Sequence, residues 1–200
     1  MEREFKWNIP TPADFSRIAD SALVAPLMQS SGDIQMQAVY FDTADKQIAR
    51  VRGGLRLRRE NSESIVCLKL SAQESFDGAC KAREEYECAA PDIRTGIRNL
   101  PSVGAPQAFC DTLFKSNLLE IGRMEFTRHA YQLAYRSCTC ELALDSGKML
   151  RCGRAAPICE MELELKSGSE ADFDALALEL QNTFSLQPQP LSKLARMMQL

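Results

Sequence analysis

The run Glu160-Met161-Glu162-Leu163-Glu164-Leu165 alternates a carboxylate with an apolar side chain, a period of two that suits an extended strand and conflicts with a helix. Glu160, Glu162 and Glu164 therefore share one face, and Met161, Leu163 and Leu165 take the other. The opening Glu2-Arg3-Glu4-Phe5-Lys6 repeats the device, with Glu2, Glu4 and Lys6 on one side. Like charges set this close repel, so such a face must meet water or be held by cations. The apolar side needs a cover.

The same alternation recurs along the chain. Gly53-Gly54 precedes Leu55-Arg56-Leu57-Arg58; residues 64–70 set Val66, Leu68 and Leu70 against Cys67 and Lys69; Arg83, Glu85 and Glu87 share a face. Collected by facing, the carboxylates are Glu2, Glu4, Glu85, Glu141, Asp145, Glu160, Glu162 and Glu164, and the cations are Lys6, Arg56, Arg58, Lys69, Arg83 and Arg128. One such strand reads as part of an antiparallel sheet with a solvated face. Many together suggest a sheet curled into a barrel, helices outside, its lumen lined by both signs of charge.

Further strands are expected over 37–43, where Asp42-Thr43 can cap the following turn, over 124–136, and over 138–144, with Asp145-Ser146-Gly147 as a turn. Thr11 and Pro12 read as N-cap and first position of a helix, and Phe15, Ile18, Ala22 and Leu23 as its apolar stripe. Residues 91–106 read as a connection rich in proline and glycine, and about 106–117 as a helix. Ser169 with Asp172 resembles a capping box, opening a helix that turns Phe173, Leu176, Ala177, Leu180 and Phe184 inward, with Pro188 and Pro190 ending it. Residues 191–200 read as a short helix carrying Ser192, Lys193 and Arg196.

Two hundred residues, 45% apolar and 26% charged, with no repeat or linker, describe one domain over 1–200. A net charge of −3 gives no bulk case for nucleic acid. No apolar run approaches the roughly 20 residues that span a bilayer, and no signal-peptide pattern follows Met1, so a cytoplasmic protein is expected. The eight cysteines include no Cys-x-x-Cys and read as buried, reduced thiols. With His129 the single histidine, neither a zinc cluster nor a nucleophilic triad has support. Phosphate-binding glycine loops are absent too.

A lumen lined by both signs suits a polyanion chelated to divalent cations: carboxylates are hard oxygen ligands for Mg²⁺ or Mn²⁺, and arginine and lysine hold phosphate oxygens. The residues that carry this reading resemble the CYTH domain, or triphosphate tunnel metalloenzyme, family. The similarity runs through Glu2-Arg3-Glu4-Phe5-Lys6, Tyr40-Phe41-Asp42-Thr43, Leu55-Arg56-Leu57-Arg58, Leu68-Lys69, Arg83-Glu84-Glu85, residues 141–147, residues 158–165, and Leu191-Ser192-Lys193-Leu194-Ala195-Arg196. It covers nearly the whole chain, and the ending is most similar to bacterial inorganic triphosphatases.

The resemblance implies an α+β fold, an eight-stranded antiparallel β-barrel flanked by helices. It implies triphosphate binding by Lys6, Arg56, Arg58, Lys69, Arg83, Arg128 and Lys193, and metal held by Glu2, Glu4, Asp145, Glu160 and Glu162. Glu4, Lys6, Arg56 and Arg58 would act in catalysis, with Glu85, Glu141 and Glu164 in support; Glu85 would pair with an arginine. The implied reaction is Mg²⁺- or Mn²⁺-dependent hydrolysis of tripolyphosphate to pyrophosphate and phosphate. The same scaffold also serves class IV adenylyl cyclases and thiamine triphosphatases, and a non-catalytic polyphosphate- or nucleotide-binding module is a further reading. Trp7 alternates outward from Lys6, away from the lumen. The expected partner is a small triphosphate, without nucleic acid or membrane; such proteins often pair, so a homodimer is expected without an identifiable interface. Two departures stand out: Ala130, where relatives often carry lysine, and Met197-Met198, where a glycine-containing pair is common.

Overall fold

Two-residue turns decide where the long strands reverse. Cys152 and Gly153 both hold positive φ, 49° and 77°, as the tight hairpin turn between β7 (Cys138–Arg151) and β8 (Arg154–Gly168) requires. Asn61, at φ 52°, opens the turn between β3 (Gly54–Glu60) and β4 (Glu63–Ser71), and its Oδ1 accepts from the Gln35 amide. The computed structural model describes residues 3–71 and 83–200. The other strands are β1 (Glu4–Asn8), β2 (Met28–Thr43), β5 (Arg83–Ala89), β6 (Leu118–Tyr135) and β9 (Gln187–Pro188).

All nine join one sheet in the order β5-β4-β3-β2-β6-β7-β8-β1-β9, and every neighbouring pair is antiparallel. The expected antiparallel α+β architecture is present. Its count is nine because the two residues of β9 pair with the β1 edge, and among the described residues β5 and β9 are not hydrogen-bonded to each other.

Asp145-Ser146-Gly147 is not a turn. β7 runs straight through it, pairing Asp145 with Arg128 and with Glu160, and Gly147 with Phe126 and Ile158. The glycine serves close approach instead: a methyl group there would stand 2.2 Å from the Glu125 carbonyl oxygen. β2 and β6 are likewise far longer than their apolar segments predict, since they pair over nearly their whole length.

The helices are α1 (Asp14–Ala19), α2 (Gln47–Arg50), α3 (Ile93–Asn99), α4 (Gln107–Lys115), α5 (Glu170–Phe184) and α6 (Lys193–Met197). α1 begins after Thr11 and Pro12, because the Thr11 hydroxyl and amide bond the Asp14 carboxylate in a turn ahead of the helix. Asp42 caps as expected, accepting from the Thr43, Ile48 and Ala49 amides at the start of α2. α3 lies inside the stretch that reads as a connection; Asp92 caps it through the Thr95 amide, and Gly96 lets it sit against Val66. Ser169 caps α5, which ends at Phe184 ahead of both prolines, with Ser185 at positive φ.

Register partners share a face, so the sheet sorts cleanly. One face of β1, β7 and β8 packs Trp7, Leu142, Leu144, Met161 and Leu163 under α1 and α5. The same face of β3, β4 and β5 packs Leu55, Val66 and Leu68 under α2, α3 and α4. The opposite face carries the charges, and α6 lies on it. Leu194 Cδ2 stands 3.0 Å from where a methyl on Gly54 of β3 would be, while Lys193 bonds Glu160 and Glu162 of β8. In a flat sheet those strands, four spacings apart in the order above, would be roughly 19 Å apart. Two consecutive residues reach both only because the sheet curls around α6.

The seven described cysteines are all free thiols; Cys152 is exposed, since it forms the β7–β8 turn, and Cys80 lies outside the described residues. Among the described residues no helix is long and apolar enough to cross a membrane.

Candidate functional site

Asp145 on β7 pairs directly with Glu160 on β8, and Glu162 follows two positions on, so three carboxylates project from adjacent strands onto the curled inner face. Each offers one oxygen within 4.8 Å of the others. Asp145 and Glu160 are fully buried. Such charges persist in a low-dielectric interior only when neutralised and hydrogen-bonded.

Cations from three directions do this. Arg128, opposite Asp145 on β6, makes a fork with Nε to Oδ1 and Nη2 to Oδ2, both 2.8 Å, and Nη2 also reaches Glu162 Oε2 at 2.6 Å. From α6, Lys193 Nζ meets Asp145 Oδ2 at 2.8 Å, Glu162 Oε1 at 2.9 Å and Glu160, and Arg196 bonds Glu160. Lys6 Nζ lies 2.8 Å from Glu4 and 3.5 Å from Glu162. Burial opposes the Glu162 charge, but Lys193, Arg128 and Lys6 outweigh it and hold the carboxyl well below its usual range. Burial likewise opposes the Lys193 charge, and Glu162, Asp145 and Glu160 carry the ammonium above the ordinary lysine value.

The β3–β4–β5 side of the same face carries its own cations, each paired with carboxylates. Lys69 Nζ bonds Glu85 at 2.6 Å, Arg56 Nη2 stands 3.6 Å from Glu85 and 3.7 Å from Glu87, and Arg58 bonds Glu60 at 2.6 Å and Glu87 at 3.3 Å. Arg56 Nε is buried and finds no acceptor among the described residues. Cys67, fully buried, donates to Glu85 at 3.1 Å; burial pushes its thiol up to about 12 despite Arg56 beside it.

The structure thus brings Glu4, Lys6, Arg128, Asp145, Glu160, Glu162 and Lys193 together, and sets Arg56, Arg58, Lys69 and Glu85 on the same face. Glu85 pairs with Arg56 and Lys69. Glu141 accepts from Gln132 at 2.8 Å, and Glu164 pairs with Lys166 at 2.8 Å, both beyond the central three. Glu2 and the Arg83 side chain lie outside what is described. Trp7 does face away from this site, buried beneath α5 with Nε1 donating to Gln181. His129 stands on the outer face against Asp33 and Phe15.

Arg196 and Glu87 also belong to the charged set although no role is implied for either by sequence. The parity of β5 already put Glu87 beside Glu85, and the spacing from Lys193 to Arg196 put both cations on one side of a helical turn.

The sequence profile of the CYTH domain matches residues 1–198. The chain belongs to the CYTH domain family. An inorganic triphosphatase of Haemophilus influenzae is 29% identical over 134 residues, 67% of this chain and 37% of that protein, so this CYTH domain chain spans little more than a third of that relative. Among solved structures, HpAC1 from Hippeastrum, to which an adenylyl cyclase designation and a dominant triphosphatase activity are attached, superposes at a TM-score of 0.64 with 19% identity, over 100% of this chain and 96% of that one. A Bacillus halodurans protein carrying an adenylate cyclase assignment superposes at 0.63 with 22% identity, over 98% and 96%. Both speak to the CYTH fold.

Proposed function

We propose that this CYTH domain hydrolyses the terminal phosphoanhydride of tripolyphosphate with the help of Mg²⁺ or Mn²⁺. The observation that carries the reading is one curled face on which three converging carboxylates, Asp145, Glu160 and Glu162, meet Lys6 and Arg128 and which Arg56, Arg58 and Lys69 share. The carboxylates are hard oxygen donors suited to such an ion, and the buried, unsatisfied Arg56 Nε suits a phosphate oxygen. When bound, the ion would supply charge neutralisation and polarisation of phosphate oxygens.

The chain's own groups do the rest. Arg56, Arg58 and Lys69 exchange their contacts with Glu85, Glu87 and Glu60 for nonbridging phosphate oxygens, so the carboxylates hold the cations in place before substrate arrives. Lys6 and Arg128 meet the other end. Glu4, 2.8 Å from Lys6, orients the attacking water. Water adds to the terminal phosphorus, its bridging bond to oxygen breaks, and phosphate and pyrophosphate leave; the cations offset charge gathering on the leaving oxygen. The triphosphatase name of the Haemophilus relative supports this choice of reaction. Trp7, buried under α5, offers no platform for thiamine rings.

Purified chain assayed with tripolyphosphate, ATP and thiamine triphosphate, each with Mg²⁺ or Mn²⁺, tests the reading. Metal-dependent phosphate release fastest from tripolyphosphate, and loss of it in Glu4→Gln, is the expected result. Cyclic AMP from ATP would replace the hydrolase with a cyclase, and tight binding without product would make the chain a binding module.

A further inference from the structure

The Lys193 ammonium sits among three carboxylates, donating to Glu162 Oε1 at 2.9 Å and standing 2.8 Å from Asp145 Oδ2 and against Glu160 Oε1, a buried oxygen that accepts no hydrogen bond among the described residues. In this position the ammonium faces carboxylates and not a phosphate oxygen. The same carboxylates are also held from outside: Arg128 holds both Asp145 oxygens and Glu162 Oε2, and Arg196 holds Glu160 Oε2. The oxygens turned toward a common centre are therefore the ones that surround the Lys193 ammonium. A divalent cation bound by this trio would use those same lone pairs.

We infer that the Lys193 ammonium and a divalent cation compete for Asp145, Glu160 and Glu162, so that loading the cation lifts Lys193, and α6 with it, off the three carboxylates. The inference rests on the reading of this trio as the metal-holding group. α6 is five residues long, capped by the Ser192 hydroxyl at the Ala195 amide, and seated by Leu194 and Met197 on the apolar part of the inner face. The exchange also gives Lys193 a second use. Displaced from the carboxylates, its three donors become free to meet the nonbridging oxygens of a triphosphate, so metal loading and phosphate capture are coupled through one side chain. Lys193 is in this sense a residue that sets metal affinity, and α6 the element that reports whether the trio is loaded.

Mn²⁺ titrations of the full chain without substrate, by calorimetry and by the electron-paramagnetic-resonance signal of free Mn²⁺, test this on wild type, Lys193→Met and Lys193→Arg. Removing the internal cation leaves three facing carboxylates without their shared partner, so Lys193→Met should bind Mn²⁺ about 10-fold tighter or more, and Lys193→Arg should not. Hydrogen exchange of the α6 amides in wild type should quicken as Mn²⁺ saturates. Should Lys193→Met fail to fold without metal, Ser192→Ala, which loosens α6 without entering the cage, should tighten Mn²⁺ binding several-fold, in line with the loss of one helix cap. Equal or weaker Mn²⁺ binding by Lys193→Met, or by Ser192→Ala in its place, overturns the inference, as does unchanged α6 protection at saturating Mn²⁺. Hydrolysis is read separately: metal-dependent phosphate release together with either of those results would remove the competition and leave the triphosphatase reading standing.

Discussion

Arg128 holds two of the three converging carboxylates, Asp145 and Glu162. Its fork satisfies Asp145, which has no solvent exposure, and its second nitrogen reaches Glu162. Replacing it with alanine leaves Asp145 with Lys193 alone and Glu162 with Lys193 and the more distant Lys6, so Arg128→Ala should lower the unfolding free energy by about 3–5 kcal/mol, read from a urea midpoint. A loss below about 1 kcal/mol would mean that Lys193 and solvent suffice. On the proposed reading Arg56 acts on substrate rather than on the fold. With Nε already unsatisfied, Arg56→Ala should leave the urea midpoint nearly unchanged while kcat/KM for tripolyphosphate falls by about 100-fold. Wild-type kinetics would remove Arg56 from the phosphate wall.

At the scale of elements, Gly147 shows how a strand can look like a turn. Asp-Ser-Gly is turn chemistry, yet these three residues pair on both sides, and Gly147 is needed because the β6 backbone passes where a side chain would be. Gly147→Ala meets a backbone oxygen that cannot rotate away, so a loss of roughly 1–3 kcal/mol is expected by thermal unfolding, with Asp145 displaced beside it. The strands whose alternation is strict, 4–6, 55–58 and 160–165, were legible because one face is charged and the other sealed by helices. The turn residues at Cys152, Arg136 and Asn61 were not, since positive φ at such positions is imposed by the hairpins they close. α3 was hidden by Pro91, Gly96 and Pro101, although Asp92 and Thr95 form a cap three residues apart; Gly96 is a packing residue against Val66 rather than a break. The strand members of the site were legible by parity: each of those described pairs in register with others on the same charged face. Which cation meets which carboxylate was not, because Lys193 and Arg196 arrive from α6, and only the curl of the sheet brings α6 to β8.

For the whole molecule, opposed charges inside a curled sheet make stability depend on pH at both extremes. Glu162 is held below its usual range, so its contribution is fully present above the ordinary glutamate value and is lost as pH falls through the lower folded value. Lys193 is held above its usual range, so its contribution is present below the ordinary lysine value and is lost as pH rises through the higher folded one. A broad plateau through neutrality is expected, and Glu162→Gln should flatten the acid limb of the melting temperature against pH. An acid limb of wild-type steepness in that variant would assign acid unfolding to other carboxylates.

The same charged face is the centre of the functional account, and Mn²⁺ anomalous diffraction from crystals grown with a non-hydrolysable tripolyphosphate analogue reads it most directly. The expected result is an anomalous peak bounded by Asp145, Glu160 and Glu162, Lys193 turned from the carboxylates toward phosphate oxygens, and the analogue lying against Arg56 and Arg58. A peak on the outer surface, or an analogue bound away from Arg56 and Arg58, would contradict it.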